Sequence, residues 1–355
     1  MVGDSEALKR LESYDMDDLV IATLCSHTSL QIFDGARKEG FKTLGISIGP
    51  PSKYYDAFPN ARPDEFLVVD NHVDILSKAD ELCAKNAILI PHGSFVEYLG
   101  PDNFENLTVP TFGNRKVLKW ESSRIKEREW LEGAGIKMPR LFTKPEEIDR
   151  PVVVKFDGAK GGRGFFIVKD YEEFNKVGPT QRYTIQEYVL GTRYYLHYFF
   201  SPLKEEGYRL SNGSLELLSI DRRDETNIDE MYKLGSQEEL KKLDLYPSFV
   251  VTGNVPLTIR ESLLAEVFNM GEKVVEKSFD LFGGIIGPFC LETIVNDKLE
   301  FKVFEVSARI VAGTNPFISG SPYSDFIEPN LSTGRRIAQE INIACELDRL
   351  DEILS

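Results

Sequence analysis

The first ninety residues alternate short apolar runs with amphipathic helical patterns, and this order constrains the fold more than any other feature. An apolar run of strand length is followed by a helical pattern and then by another apolar run, and the whole order occurs twice. The predicted strands and helices are, in chain order, 18–25, 30–39, 43–47, 65–70, 73–85 and 87–91. Strands that alternate with helices in this way predict a parallel, doubly wound α/β sheet.

Two short polar segments follow predicted strands of this sheet, at 26–29 and 92–94. Ligands bind doubly wound sheets outside the carboxyl ends of the strands, so these segments are candidate binding loops. They contain His27 and Ser94, and both can begin a helix. By its local sequence alone, His27 is more typical of an ordinary loop histidine.

The rest of the chain has a different organisation. Residues 119–135 predict one charged amphipathic helix, strands prevail from 151, a helix is expected around 260–280, and 334–354 predicts a final helix. We interpret Arg335 and Arg336 as part of a solvated face or of a contact between subunits. The change of pattern places a domain boundary near 119–135.

A glycine-rich segment at 157–164 connects two predicted strands, and Lys155 stands just before it. The spacing matches neither the Walker A loop nor the dinucleotide-binding motif. Backbone N–H groups at such a turn, with the charges of Lys155, Lys160 and Arg163, can cradle a polyphosphate. The alternative is a hairpin in which glycine has no role beyond chain flexibility.

Residues 183–191 predict a strand that ends in a turn, with Glu187 near its end. Its backbone could pair with an adenine edge, while Glu187 accepts a hydrogen bond from the exocyclic amine or from a ribose hydroxyl. A buried strand with one glutamate at its edge is the more common explanation of this pattern.

Two glutamates, Glu292 and Glu305, lie on the strands of a predicted hairpin whose turn is at 296–298. With an even-numbered loop, both carboxylates lie on one face, together with Phe301 and Val303. Two unit charges about 4 Å apart repel by about 4 kcal/mol at an effective dielectric constant near 20, so the pair favours either a cation or a shared proton. Ligands that are all oxygen atoms suit Mg²⁺. With an odd-numbered loop, one glutamate would face solvent instead.

Charge and cysteine content narrow the function classes. The 355 residues contain 57 acidic and 42 basic side chains, a formal net charge of −15, which disfavours nucleic-acid binding but permits a small anionic ligand in a local positive pocket. The four cysteines form no C-x-x-C pair, so we expect reduced thiols. The first twenty residues lack an apolar core and no window is a membrane span. We therefore expect a cytoplasmic protein with no membrane partner.

From about residue 110 to 350, the order of these segments resembles the ATP-grasp ligases. Over nearly the whole chain, the sequence resembles one family among them, the archaeal formate-dependent 5-formaminoimidazole-4-carboxamide ribonucleotide synthetases. The segments that carry this likeness are 26–41, 91–95, 113–118, 155–166, 220–223, 251–256, 261–264, 287–292, 304–323 and 332–338.

The resemblance implies a doubly wound pre-ATP-grasp domain at 1–118, followed by the two α+β lobes of an ATP-grasp fold. The small lobe is at 119–190 and the large lobe at 191–355. It implies that ATP activates formate as formyl phosphate, and that the formyl group passes to the amine of 5-aminoimidazole-4-carboxamide ribonucleotide (AICAR) in purine (IMP) biosynthesis. ADP and phosphate are released, and folate is not used. The resemblance further implies Mg²⁺ or Mn²⁺ as the metal and a homo-oligomeric assembly.

The resemblance also assigns roles to residues. AICAR contacts fall to His27, Ser94 and Asn254, and metal contacts to Glu292 and Glu305. ATP contacts fall to Lys116, Lys155, Gly161, Gly162, Gly164, Glu187, Val189 and Glu225. Charge neutralisation during phosphoryl transfer falls to Lys155, Arg309 and Arg222, with Arg223 as a further candidate.

One departure from the ATP-grasp pattern concerns the metal. Many members have an asparagine two residues after the second glutamate, where this chain has Ser307.

Two other functions fit the same residues. One is a ligase that joins another carboxylate to an amine, and the other is a nucleotide-binding regulator without catalytic activity.

Overall fold

The computed structural model describes residues 6–156, 165–225 and 250–355. Its N-terminal part contains four strands: β1 (Val20–Leu24), β2 (Lys42–Ile48), β3 (Glu65–Val69) and β4 (Ala87–Leu89). The helices here are α1 (Glu6–Leu11), α2 (Ser29–Lys38), α3 (Ala79–Ala84) and α4 (Pro101–Glu105). The strands form a parallel sheet in the order β3-β2-β1-β4, which confirms the predicted doubly wound domain.

This sheet is buried on both faces because alternate residues of β1 enter different hydrophobic clusters. Ala22 and Leu24 pack in one cluster with Leu89, whereas Ile21 packs in the other with Ile88. Apolar residues are therefore needed at successive positions, as the continuous apolar runs of the sequence indicated.

The predicted helix at 119–135 is two helices, α5 (Val117–Glu121) and α6 (Arg124–Gly133). The single-helix prediction was wrong because Ser123 takes an extended conformation between them, and its side chain accepts the N–H of Lys126 at the start of α6. The indole N–H of Trp130 on α6 donates to the carbonyl of Val274, 2.9 Å away, so α6 packs on the long helix Leu264–Phe282, which is described below with the largest sheet.

A small sheet follows, with strands β5 (Leu141–Phe142), β6 (Val152–Phe156), β7 (Phe165–Val168) and β8 (Tyr183–Glu187), and with α7 (Tyr171–Val177). Its antiparallel order is β5-β8-β6-β7, and it has a separate core that includes Val152, Val154 and Phe174. The glycine-rich segment 157–164, with Gly161, Gly162 and Gly164, lies outside the described residues.

The largest sheet contains β9 (Thr192–Ser201), β10 (Tyr208–Leu210), β11 (Gly213–Glu225), β12 (Val251–Pro256), β13 (Gly287–Val295) and β14 (Phe301–Ser307). Its order is β10-β11-β9-β13-β14, and β12 pairs with the end of β11. Helix α8 (Leu264–Phe282) packs against one face through Val267, Met270 and Val274. The opposite face carries the polar side chains of the candidate site.

The C-terminal helix α9 (Thr333–Glu346) packs on α2 of the N-terminal sheet. A Cβ atom at Gly35 would lie 2.2 Å from the backbone nitrogen of Arg335, so glycine is required for the two helices to approach this closely. Arg336 is buried and forms ion pairs of 2.7 Å with Glu216 and 2.8 Å with Glu340. The interpretation of Arg336 as a solvated or inter-subunit residue was therefore wrong.

The predicted boundaries at 118 and 190 remain predictions. The four cysteines are free thiols. Among the helices that the structure describes, none is long and apolar enough to cross a membrane.

Candidate active site

The two glutamates of the predicted hairpin lie directly opposite each other on β13 and β14. The loop between the strands, 296–300, has an odd number of residues, so the simple parity argument does not produce this pairing. A β-bulge at Phe304 adds one residue to β14 and restores the alignment of Glu292 with Glu305. The placement of Phe301 and Val303 beside the glutamates was wrong, because both enter the core on the opposite face.

Glu292 is buried, and a guanidinium group compensates its charge. Arg223 donates to both carboxylate oxygens, at 2.7 and 3.3 Å. The guanidinium carbon lies 3.7 Å from the ring centroid of Tyr195, which supports it from one side. In this structure, the positive charge next to the predicted carboxylate pair is therefore the guanidinium of Arg223 on β11.

Glu305 has no ion pair within the described ranges. The negative charge of Glu292, and after it the loss of surrounding water, raise the pKa of Glu305 to about 8. The Glu305 side chain is nevertheless exposed to solvent, so the charge of Glu292 is the main cause of this shift. A carboxyl group that resists ionisation beside another carboxylate is a suitable ligand for a divalent cation, since the cation would remove the repulsion.

Two acidic residues of the helix pair α5–α6 accept hydrogen bonds from the backbone that follows Glu305, and neither was predicted from the sequence. Glu127 accepts the N–H of Val306 at 2.5 Å, and Glu121 accepts the N–H of Ala308 at 2.9 Å. Burial, and after it the charge of Glu305, raise the pKa of Glu127 to about 9. Both look like surface acids of an amphipathic helix in the sequence, so no local signal separated them from the others.

The small sheet contributes Lys155 and Glu187. Lys155 is half-buried at the end of β6, where burial lowers its pKa while the charges of Glu305 and Glu127 oppose that shift. Glu187 accepts the ammonium of Lys302 at 2.6 Å and the N–H of Arg140 at 3.0 Å. Val189 lies two residues after the end of β8 and is half-buried.

The carboxyl ends of β1 and β4 bring the two predicted binding loops together. The rings of His27 and His92 are 4.6 Å apart, and the hydroxyl of Ser94 donates to that of Ser26 at 2.8 Å. A Cβ atom at Gly93 would lie 2.7 Å from Nε2 of His27 and 3.5 Å from a terminal nitrogen of Arg309. Glycine therefore allows both side chains to approach this loop.

Arg309 connects this edge to the helix pair, because its guanidinium forms an ion pair of 2.7 Å with Glu121. Loss of water around the ring and the positive charge of Arg309 lower the pKa of His27 to about 4. His27 is therefore neutral near pH 7, and it can donate or accept one hydrogen bond to a ligand.

Asn254 on β12 donates to Asp221 of β11 at 2.8 Å, and Asp221 also lies 2.6 Å from Nε2 of His197. Asn254 is the register partner of Arg223, so it lies beside the residue that holds Glu292.

The structure does not bring the remaining predicted residues to the carboxylate pair. Arg222 is exposed and alternates in direction with Arg223, so it lies on the other face of β11. Glu225 forms an ion pair with Arg193. Lys116 is exposed in a groove of about 450 Å³ that Trp120 and Lys126 also line.

A divalent cation fits the carboxylate oxygens of Glu292 and Glu305. No cluster of three or more His, Cys, Asp or Glu side chains suited to a metal occurs in the described part of the chain. Two carboxylates are nevertheless the usual protein share of a magnesium site that substrate phosphates complete. The arrangement therefore suits a cation that is bound together with a polyphosphate.

The chain is similar to known protein families and to a named relative. Two families match the chain, one described as a domain of unknown function (DUF1297) over residues 174–355 and one as a protein of unknown function (DUF1246) over 21–142. The chain is 62% identical over 356 residues to the 5-formaminoimidazole-4-carboxamide-1-(beta)-D-ribofuranosyl 5'-monophosphate synthetase of Methanococcoides burtonii, and the match covers 100% of both chains.

Two solved structures are similar. The IMP biosynthesis protein PurP from Thermococcus kodakaraensis is 30% identical with a TM-score of 0.74, and the match covers 94% of this chain and 100% of that one. The N5-carboxyaminoimidazole synthetase from Staphylococcus aureus complexed with ADP is 13% identical with a TM-score of 0.61, covering 92% and 79% of the two chains. The second likeness shows the fold alone.

Proposed function

Because the chain belongs to the family of the 5-formaminoimidazole-4-carboxamide ribonucleotide synthetases, we propose that it is the ligase that formylates AICAR with ATP and formate. Its fold is a doubly wound domain followed by an ATP-grasp fold, as the sequence indicated. The opposed carboxylates Glu292 and Glu305 carry the proposal. The charge of Glu305 acts on Lys155, and Glu292 is held by Arg223, the register partner of Asn254.

Formate must be activated before an amine can react with it. The formate anion is stabilised by resonance and has no leaving group, so transfer of the γ-phosphoryl group of ATP to formate provides one. The amine of AICAR then attacks the carbonyl carbon of formyl phosphate, and phosphate leaves. Because formate is the formyl donor, folate has no role in this reaction.

Phosphoryl transfer depends mainly on positioning and on charge neutralisation. We assign charge neutralisation to Lys155 and Arg309. Held at Glu292 and Glu305, Mg²⁺ or Mn²⁺ would supply further neutralisation of phosphate oxygens. Arg223 rather than Arg222 is the β11 guanidinium beside this pair, and it holds Glu292 in place.

The carboxyl edge of the N-terminal sheet suits the ribonucleotide. His27 and Ser94 lie there, and both can exchange hydrogen bonds with phosphate, ribose or carboxamide groups. We assign AICAR to this edge and to Asn254, and ATP to the region between the small sheet and the carboxylate pair. Assembly as a homo-oligomer belongs to the proposal as well.

The assay that tests this function measures ADP release with each substrate omitted in turn. We expect release to require AICAR and formate together, and acetate or glycine not to replace formate. Equal rates with acetate would contradict the formate assignment, although they would leave an ATP-dependent ligase.

A matched pair of variants tests the carboxylate site. Glu292→Gln removes one charge of the opposed pair, and we expect turnover to fall by about 100-fold or more, in line with the loss of electrostatic stabilisation at such sites. Glu300→Gln changes an exposed carboxylate in the loop of the same hairpin, and turnover should stay within about twofold of the parent protein. Unchanged turnover in Glu292→Gln would contradict the metal assignment.

A further inference from the structure

A buried side-chain network lies behind Asn254. Asp221 is fully buried on β11, and its carboxylate is shared between two partners. One oxygen accepts the amide nitrogen of Asn254 at 2.8 Å, and the other lies 2.6 Å from Nε2 of His197 on β9. Asp221 therefore links His197 on β9 to Asn254, the residue assigned to AICAR.

The chemistry of Asp221 fixes the orientation of the Asn254 amide. The side-chain nitrogen of Asn254 donates to Oδ2 of Asp221, so the NH₂ group of Asn254 faces Asp221. The carbonyl oxygen of Asn254 is then the group left to face a ligand.

His197 fixes the other end of Asp221. His197 is buried, and its Nδ1 atom has no hydrogen-bond partner among the described residues. Because an N–H at Nδ1 would be buried and unpaired, the proton belongs on Nε2, where it is donated to Asp221. Both oxygens of Asp221 are thereby occupied.

The network also connects to the opposite side of the proposed nucleotide site. The segment Ala312–Phe317 covers Asp221, and a Cβ atom at Gly313 would lie 2.4 Å from its Oδ1 atom. The next residue, Thr314, accepts the side-chain amide of Gln31 at 2.9 Å, and Gln31 lies on the helix that follows His27. Contacts thus run continuously from the His27 loop to Asn254.

We propose that Asp221, held by His197, is a positioning and specificity residue that makes Asn254 present a hydrogen-bond acceptor to an N–H group of the imidazole carboxamide nucleotide. The inference rests on the proposed function, because that function places AICAR at Asn254. It adds the direction of the hydrogen bond, and hence a preference for ligands that carry an amino or amide donor at that position.

Substitutions of Asp221 and Asn254 test the direction of this hydrogen bond. In Asp221→Asn, the new carbonyl oxygen keeps the hydrogen bond from His197, and the new NH₂ group faces Asn254. Asn254 must then turn its oxygen inward and present NH₂ to the ligand. We expect the KM for AICAR to rise about 10- to 100-fold, while the KM for ATP and for formate stays within about twofold.

The variant Asn254→Asp brings two carboxylates together and should also weaken AICAR binding. In the double variant Asp221→Asn with Asn254→Asp, the donor and acceptor are exchanged, and an oxygen again faces the ligand. We expect the double variant to recover most of the AICAR affinity that Asp221→Asn loses.

Further variants separate positioning from general damage. Asp224→Asn changes an exposed carboxylate on the same strand and should leave the KM for AICAR unchanged. Gly313→Ala displaces the Asp221–His197 pair without touching Asn254, and should raise the KM for AICAR as Asp221→Asn does. Melting temperatures within a few degrees of the parent protein show that each variant is folded.

Two results would overturn the inference. One is a double variant no better than the product of the two single effects, and the other is an equal rise of KM for AICAR and for ATP in Asp221→Asn. If the parent protein does not turn over AICAR at all, the proposed function fails instead, so the two failures are distinguishable.

Discussion

At the scale of single residues, the two opposed carboxylates have different surroundings. Glu292 is buried and carries the guanidinium of Arg223 on both oxygens, whereas Glu305 is left to the repulsion of Glu292. Removing Arg223 would leave Glu292 buried without its partner. We therefore propose that Arg223 balances the charge of Glu292 when no metal ion is bound, and that Glu305 would ionise when a cation binds to the pair.

The raised pKa of Glu305 predicts how the metal affects stability. A carboxyl group whose pKa is higher in the folded chain stabilises the fold below its ordinary pKa, and this contribution is lost as the pH rises toward about 8. Metal binding favours the ionised form, so the rise in melting temperature caused by MgCl₂ should grow between pH 6 and about 8.5. Differential scanning fluorimetry measures it. The same growth in Glu305→Gln would contradict the assignment.

At the scale of elements, the helix pair α5–α6 supports strand β14. Glu127 reaches from α6 to the backbone N–H of Val306, one residue beyond Glu305. Since its pKa is raised to about 9, Glu127 is protonated at neutral pH and has nearly the shape and charge of glutamine.

This contact predicts opposite outcomes for two substitutions. Glu127→Gln keeps an acceptor for Val306 and should change turnover by less than about threefold. Glu127→Ala leaves a buried N–H unpaired, so we expect a loss of about 1–3 kcal/mol in the free energy of unfolding and a larger loss of turnover. Urea unfolding together with the ADP-release assay measures both. Equal effects of the two substitutions would contradict the protonated state of Glu127.

The helices and strands could be predicted from the sequence better than the tertiary contacts between them. Strands of the N-terminal sheet follow from apolar runs because their residues are buried on both faces, and the loops of His27 and Ser94 follow from strand direction. The apolar alternation of β14 changes phase at Val303 and Phe304, but consecutive apolar residues are also usual in a strand buried on both faces, so the pattern alone does not identify the bulge. The roles of Glu121 and Glu127 could not be predicted because they depend on tertiary contacts with β14.

At the scale of the whole molecule, buried ion pairs join the C-terminal helix to the large sheet. Arg336 of α9 contacts Glu216 of β11 and Glu340 of its own helix, and its guanidinium lies 4.3 Å from the ring centroid of Phe199. The same helix packs on α2, whose N-terminus follows the His27 loop. The C-terminal helix therefore fixes the position of the N-terminal sheet relative to the large sheet at the site.

Neighbouring arginines provide a matched test of this connection. Arg336→Met removes the cation between two buried carboxylates, and we expect a loss of about 3–5 kcal/mol in the free energy of unfolding. Arg335→Met removes partly exposed ion pairs with Glu39 and Glu328 and should cost about 1 kcal/mol or less. Urea unfolding followed by circular dichroism compares them. Equal losses would contradict the role assigned to Arg336.

The transfer of oxygen from formate to phosphate tests the central claim most directly. The protein is incubated with AICAR, ATP, MgCl₂ and formate labelled with ¹⁸O, and the products are analysed by mass spectrometry. If formyl phosphate forms and the amine displaces phosphate, the nucleotide gains one formyl group and the released phosphate carries one ¹⁸O atom for each nucleotide formed. Unlabelled phosphate, or ADP released without formylated nucleotide, would contradict the account.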